Sequence, residues 1–328
     1  MNNRVIAEEH YRAESLLEAL DLRLWTNPTE WASPWVFRGQ RDADWRLTPS
    51  AWRISDDPPI ARLRQLRDQF SRAHSLAIVE QLHRNPLTRQ ANSEHVLKAY
   101  GQARAEFSLI HDFVSLADEL GHKVPSIETY TRLTEYNYHP EIQAYPLVRF
   151  LPDTNPAAAL AQHHGVPTRA LDWTRSPMYA AFFAAAEIED TSPAARIAVW
   201  ALHPKLLLDL GRPERFNSEY SRFLPYSASF GENPYLRSQK GLFVYPTYGC
   251  AHLARTGEVP DLESFAIQAQ REATEPCRVI RRLTLPYGEV GRLLRLLWLQ
   301  GVSRAHLMPT LDNVTHSLAS RWRWNEDA

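Results

Sequence analysis

Cysteine is nearly missing from this chain: Cys250 and Cys277 are the only two in 328 residues. Two thiols cannot build a disulfide framework and do not by themselves make a zinc site, so they point to a reduced, cytoplasmic setting. Long apolar runs are missing as well. None approaches the roughly 18 residues of a membrane span. The opening residues, MNNRVIAEEHYRAESL, are mixed in charge and have no apolar signal region, so no membrane partner is expected. Excess charge of one sign is absent, with 37 Lys and Arg against 38 Asp and Glu. That removes whole-molecule steering toward nucleic acid or anionic lipid but leaves room for a local basic groove. The chain also has no GxGxxG, no GxxxxGK[ST], no GxSxG and no HExxH, so four common routes to nucleotide, hydrolase and metalloprotease chemistry find no support.

What is present is a globular composition, 44% hydrophobic and 23% charged, with ten Trp and 23 Pro. The length is enough to bury a full core. So many prolines predict short elements with long connections. Residues 4–24 read as an amphipathic helix carrying Leu16, Leu17, Leu20 and Leu24. Residues 35–54 read as a strand, an Arg-Gly corner and an irregular loop. Residues 59–121 read as helical. There Val96, Tyr100, Ala103, Phe107, Ile110, Phe113 and Leu120 form one stripe, charges take the other faces, and Gly121 stops the helix. From residue 150 helix and strand signals alternate. Asn155-Pro156 and Ser176-Pro177 are cap-plus-proline helix starts. The stretches RIAVWAL, GLFVYP and CRVIRRLTLP read as strands, and the last two helices follow from VGRLLRLLWLQGV and LMPTLDNVTHSLASRW, the latter capped by Thr310. The pattern is α+β or α/β, with strands that are largely not hairpin-paired in sequence.

Three stretches concentrate chemistry. In VFRGQRDADWRLTPSAWR, residues 36–53, an apolar run ends on Arg38, with Gly39 and Gln40 behind it. Arginine is a rigid fork of donors suited to phosphate or carboxylate, and glycine permits close backbone approach. A core ion pair to a carboxylate such as Asp172 is the plainer alternative. In QHHGVPTRALDWT, residues 162–174, His163, His164, Thr168, Arg169, Asp172, Trp173 and Thr174 lie between two short helices. Side chains so polar must satisfy one another or face a cleft. The adjacent histidines diverge on a helix, which argues against a shared metal. Asp172 beside Arg169 reads as an internal ion pair. Trp173 reads equally as a core anchor or as a stacking platform. In ENPYLRSQKGLFVY, residues 232–245, Gln239 precedes a strand whose Gly241 allows a tight turn.

The pieces FRGQ, AQHHGVPTRALDWTRSPMYAAFFAA, RSQKGLFVY and LQGVSRAHLMPTLDNVTHSLA, in this order, resemble the FRG domain, a family named for its Phe-Arg-Gly motif and described as of unknown function. On this likeness residues 1–34 form an N-terminal helical segment. Residues 35–320 form the domain, with 55–150 as a helical insertion. The motif order further resembles the ADP-ribosyltransferases. Their site opens on a strand ending in aromatic-Arg-Gly, continues with Ser-Thr-Ser leading into an A-x-x-F-A helix, and closes on a strand carrying a catalytic Glu. That resemblance implies a mixed sheet core of ADP-ribosyltransferase-like type with a largely helical insertion. It implies NAD as ligand, with Arg38, Gly39, Gln40, Thr168, Arg169, Trp173 and Thr174 around it, and no metal. Arg38, His163, Asp172 and Gln239 would stand at the catalytic positions. Gln239 stands where the acid is expected, so Asp172, Glu219 or Glu232 would have to supply the charge that stabilises an oxocarbenium-like ribose. His163 could donate to ribose or act as a base.

Three activities follow as expectations. The first is an ADP-ribosyltransferase-like enzyme, of the sort found among toxins and phage-defence effectors, that modifies a protein or nucleic acid or cleaves NAD. The second is a sensor or effector module that binds NAD or another nucleotide in a degenerate cleft. The third is a metal-dependent nuclease or hydrolase using His163, His164 and Asp172. A local basic groove with an exposed Trp would favour a nucleic-acid substrate.

Overall fold

RIAVWAL has no polar alternation because its strand is covered on both faces. Ile197, Val199 and Ala201 enter one apolar cluster, while Ala198, Trp200 and Leu202 enter another. It is one of seven strands in a computed structural model of the chain, which describes residues 6, 8–72, 80, 90–125, 155–188, 195–210, 223–227, 234–273 and 277–326. The strands are β1 (Glu8–His10), β2 (Val36–Gln40), β3 (Leu171–Thr174), β4 (Arg196–Leu202), β5 (Phe223–Tyr226), β6 (Gly241–Pro246) and β7 (Ile280–Pro286). They form one mixed sheet of order β1-β7-β4-β2-β3-β6-β5. β1 runs parallel to β7, and the other neighbouring pairs are antiparallel. The chain is therefore α+β. Among the described residues no two strands are joined by a tight hairpin, and β2 lies between β3 and β4, the next two strands of the sheet in the sequence.

The helices Ala13–Ala19, Pro177–Ala185 and Val290–Leu299 cover one face of the sheet. Leu207 of helix Pro204–Leu210, together with Leu262, Phe265, Ala266 and Ala269 of helix Leu262–Glu272, covers the other. The start signals at Ser176 and Thr310 act as read. The Ser176 hydroxyl accepts from the Tyr179 N–H at 3.4 Å, and Thr310 Oγ1 accepts from the Asn313 N–H at 3.2 Å. Gly165 and Gly301 end their helices with φ of 88° and 76°.

Three expectations change. The helix expected over 4–24 is a strand, a short helix and a 3-10 turn, because residues 8–10 take up the free edge of β7 instead. Leu16, Leu17 and Leu20 are buried, but Leu24 points into solvent. Gly39 is not a corner. β2 runs through Gly39 and Gln40, paired with Val199 and Ala198 of β4. Its glycine is needed for packing: a Cβ there would meet the Ala180 carbonyl oxygen at 2.1 Å and the Ala184 nitrogen at 2.6 Å, so the alanine-rich helix rests directly on the strand. The left-handed residue before β6 is Lys240, with φ of 49°, rather than Gly241.

The helical stretch after residue 55 contains helices Pro58–Arg72 and Ser93–Glu119, while its part from 126 to 150 lies outside the described residues. The second helix is not buried along one stripe only. Midway, Gln102, Ala105 and Glu106 are buried as well, because helix Pro58–Arg72, helix Gly249–Thr256 and the Trp52 loop pack around it. Among the described residues no helix is long and apolar enough to cross a membrane.

Candidate functional site

β2 and β3 share a single residue pair, Phe37 opposite Thr174. β4, in contrast, pairs with all five residues of β2. Beyond Phe37 and Thr174 the two strands part, and the gap opens a cleft of about 450 Å³ in the sheet itself. This size is ordinary for a small-molecule site.

Arg38 stands at the fork. Its Nη1 donates to the Asp172 backbone carbonyl at 2.7 Å and lies 3.7 Å from the Asp172 carboxylate. Only 13% of the Arg38 side chain is exposed, against 63% for Asp172. Arg38 Nε is buried without a hydrogen-bond partner. Burial pushes the guanidinium below its usual pKa, and Asp172 pulls it back. Arg38 is thus only loosely ion-paired: its carboxylate neighbour lies 3.7 Å away and is largely exposed, and one of its donors is unmet. Arg53, anchored by donating from Nε to the Thr48 carbonyl at 2.8 Å, adds a second cation at the same place. Its pKa is lowered by burial first and by Arg38 next. Two half-desolvated arginines side by side make a seat for an anion.

Asp172 is held from the far side. Gln162 Nε2 donates to its Oδ1 at 2.6 Å, and Gln162 Oε1 accepts from the Thr168 hydroxyl. Gln162 thereby fixes which way the carboxylate faces. His163 also lines the cleft. Burial, then His164, push its imidazole below the usual pKa while Asp172 pulls it up. His164 stacks on Phe113 with ring centroids 5.8 Å apart and meets the His163 ring edge-on at 5.1 Å, so the two adjacent imidazoles stay in contact rather than diverging as expected. Gln239 sits at the cleft wall, where its backbone carbonyl accepts from the Thr174 hydroxyl at 2.7 Å. Thr174 Oγ1 in turn accepts from the Ser176 N–H at 3.1 Å. Thr174 thus locks the turn between β3 and the alanine-rich helix. Glu219 and Glu232 lie outside the described residues.

Several residues expected around a ligand serve the scaffold. Arg169 is not the partner of Asp172. It is 1% exposed, and its Nε donates to Glu106 at 2.6 Å while its Nη2 lies 3.2 Å from the Cys250 sulfur. Glu106 also accepts from Trp52 Nε1 at 3.0 Å and Gln102 Nε2 at 2.9 Å. This buried network ties the 50s loop, the long helix and the loop before β3 together. Burial raises the Cys250 thiol to about 11, against the pull of Arg169, so it is a neutral packing group. Thr168 is likewise buried behind the cleft wall, bonded to Ser50 and Gln162. Gln40 Oε1 accepts from Trp200 Nε1 at 2.6 Å, which occupies its polar end. Trp173 lines the cleft but is 3% exposed and packs into the core, whereas Trp45, also on the cleft wall, is 46% exposed.

Sequence reasoning passed over Gln162, Arg41, Trp45 and Arg53, although all four lie in the two polar stretches it singled out. Glu187 and Arg304 also line the cleft, and neither has a local signal, because each comes from a helix end brought in by the fold. Among the described residues no group of three or more His, Cys, Asp or Glu side chains is placed to hold a metal ion.

The family model for the FRG domain matches residues 33–192. The matched span includes β2, the 160s loop, β3 and the alanine-rich helix, but not Gln239 or Arg304. No curated protein and no solved structure matches the chain. The residues of the Phe-Arg-Gly strand that names the family are the ones at the fork of the sheet, and the chain contains an FRG domain over residues 33–192.

Proposed function

We propose that the cleft binds NAD and transfers its ADP-ribosyl group to a macromolecular acceptor or to water, on an ADP-ribosyltransferase-like core. The observation that carries this reading is Arg38, a desolvated guanidinium at a fork in the sheet with one donor unmet and Arg53 beside it. The pair suits the pyrophosphate, and the open side of the cleft lets a dinucleotide extend past Trp45. In the transfer, the bond from ribose C1′ to the nicotinamide nitrogen breaks and its electron pair leaves with nicotinamide. C1′ then takes a lone pair from the acceptor, whose proton passes to His163 or solvent. Positive charge builds on the ribose meanwhile, and the carboxylate available to face it is Asp172, oriented by Gln162. His163, with its lowered pKa, is neutral near pH 7 and can accept that proton. The free cysteines, Cys250 and Cys277, fit a cytoplasmic setting, where such an activity would serve a toxin or an antiviral effector.

A second reading has one observation in its favour: Gln239 puts an amide where the resemblance calls for a carboxylate. The cleft would then bind NAD or another nucleotide as a sensor and transfer nothing. Chromatographic detection of nicotinamide separates the two. Release from NAD by the purified protein, alone or with cell extract, and its loss in Arg38→Ala and Asp172→Asn, supports transfer. No release from a folded protein that still binds NAD supports the sensor.

A further inference from the structure

Glu187 closes the mouth of the cleft, just past the alanine-rich helix. Half of its side chain is exposed, yet both carboxylate oxygens are taken. Oε2 accepts from Arg41 Nη1 at 2.8 Å, and Oε1 accepts from Arg304 Nη2 at 2.9 Å. The hydrogen bond from Arg304 is the largest influence on its carboxyl, which is held below the usual pKa with Arg41 helping. Arg41 reaches in from the end of β2 and Arg304 from the start of helix Arg304–Leu307. All three line the same cleft as Arg38. Trp45 completes the mouth, its indole half-exposed and the Arg41 guanidinium 5.9 Å from its ring centre.

An exposed ion pair adds little stability, so the fold gains little from this clasp. Two convergent arginines on one carboxylate do, however, reproduce how arginine holds a phosphate group. An open indole beside them offers a face to a base. We propose that Arg41, Arg304 and Trp45 form a second, outer nucleotide subsite, with phosphate on the arginines and base on the indole, and that Glu187 fills it in the free protein as an internal stand-in for that phosphate. The inference rests on the reading of the cleft as a nucleotide site. It adds that the ligand carries a further phosphate and base beyond the group held at Arg38. A free nucleotide and the next residue of a nucleic-acid strand present the same chemistry.

The test is titration of ADP, and separately of a short single-stranded DNA, into wild type, Glu187→Gln, Arg41→Ala, Trp45→Ala and Arg38→Ala. Glu187→Gln removes the competing charge and is expected to bind one of the probes about five- to tenfold more tightly. Arg41→Ala and Trp45→Ala are expected to bind that probe about tenfold more weakly, with thermal midpoints unchanged. A gain confined to ADP names the free nucleotide as occupant, and a gain for the DNA names the strand. Unchanged or weaker binding of both probes by Glu187→Gln overturns the inference, as does absence of binding in wild type and Glu187→Gln alike. If Arg38→Ala alone loses ADP in that first case, the inner site stands without the outer one. ADP binding indifferent to both Arg38 and Arg41 would remove the nucleotide reading of the cleft itself.

Discussion

Arg38 and Arg169 are both shielded arginines in motif stretches, and the account gives them opposite roles that a thermal melt can separate. Arg169→Ala leaves the fully buried Glu106 carboxylate with the neutral donors Trp52 Nε1 and Gln102 Nε2 among the described residues. Breaking such a pair costs about 3–5 kcal/mol, because an uncompensated charge stays in low dielectric. For 328 residues the unfolding entropy is about 0.69 kcal/mol/K, so the midpoint should fall by about 4–7 °C. Replacing both partners, as Glu106→Gln with Arg169→Met, removes the stranded charge and should recover most of that loss. Arg38→Ala is different. It gives up one hydrogen bond to a backbone carbonyl, about 0.5–1.5 kcal/mol, and relieves a guanidinium that burial already disfavours. Its midpoint should move by no more than about 2 °C. The assay is differential scanning fluorimetry on the three variants with wild type beside them. An Arg38→Ala loss equal to that of Arg169→Ala would refute the reasoning, since Arg38 would then be a core ion pair and not a ligand seat.

Two further outcomes follow from the same geometry. Gly39→Ala should reduce stability by about 1–3 kcal/mol or more, read as a lowered midpoint or loss of soluble protein, because the new methyl displaces the helix from β2; a fully stable variant would show that the helix can slide. His163 has its folded pKa depressed by burial, so the unfolded chain binds its proton more readily. Its contribution to stability is therefore complete above the unfolded value of about 6.5 and is lost as pH falls below it. His163→Asn should flatten part of that acid slope in melts between about pH 7 and 5; an unchanged slope would assign it to His203 and His252, whose pKa values burial also lowers.

Much of the central sheet was legible because its strands carry their own signal. RIAVWAL, GLFVYP and CRVIRRLTLP are apolar and bounded by loops, and the helices around them start on Ser176-Pro177 and Asn155-Pro156. β1 was not legible. EEH has no strand character of its own and is extended only because β7 offers it an edge. Of the site, the motif stretches were visible but the roles within them were not. Nothing local distinguishes Arg38 from Arg169. The difference is Glu106, a buried acid on a distant helix whose charges read only as lying off the apolar stripe. Trp173 and Trp45 divide in the same way: strand pairing decides that the first is core and leaves the second at the mouth. Glu187 and Arg304 become neighbours only in three dimensions, so no reading along the chain would join them.

The most direct test of the central claim is calorimetric titration of NAD into wild type and Arg38→Ala, with folding of both checked by melt. The account predicts measurable binding to wild type and its loss, by about tenfold or more, in a variant that remains folded. Equal binding by the two proteins, or no binding of NAD by a folded wild type, would contradict it.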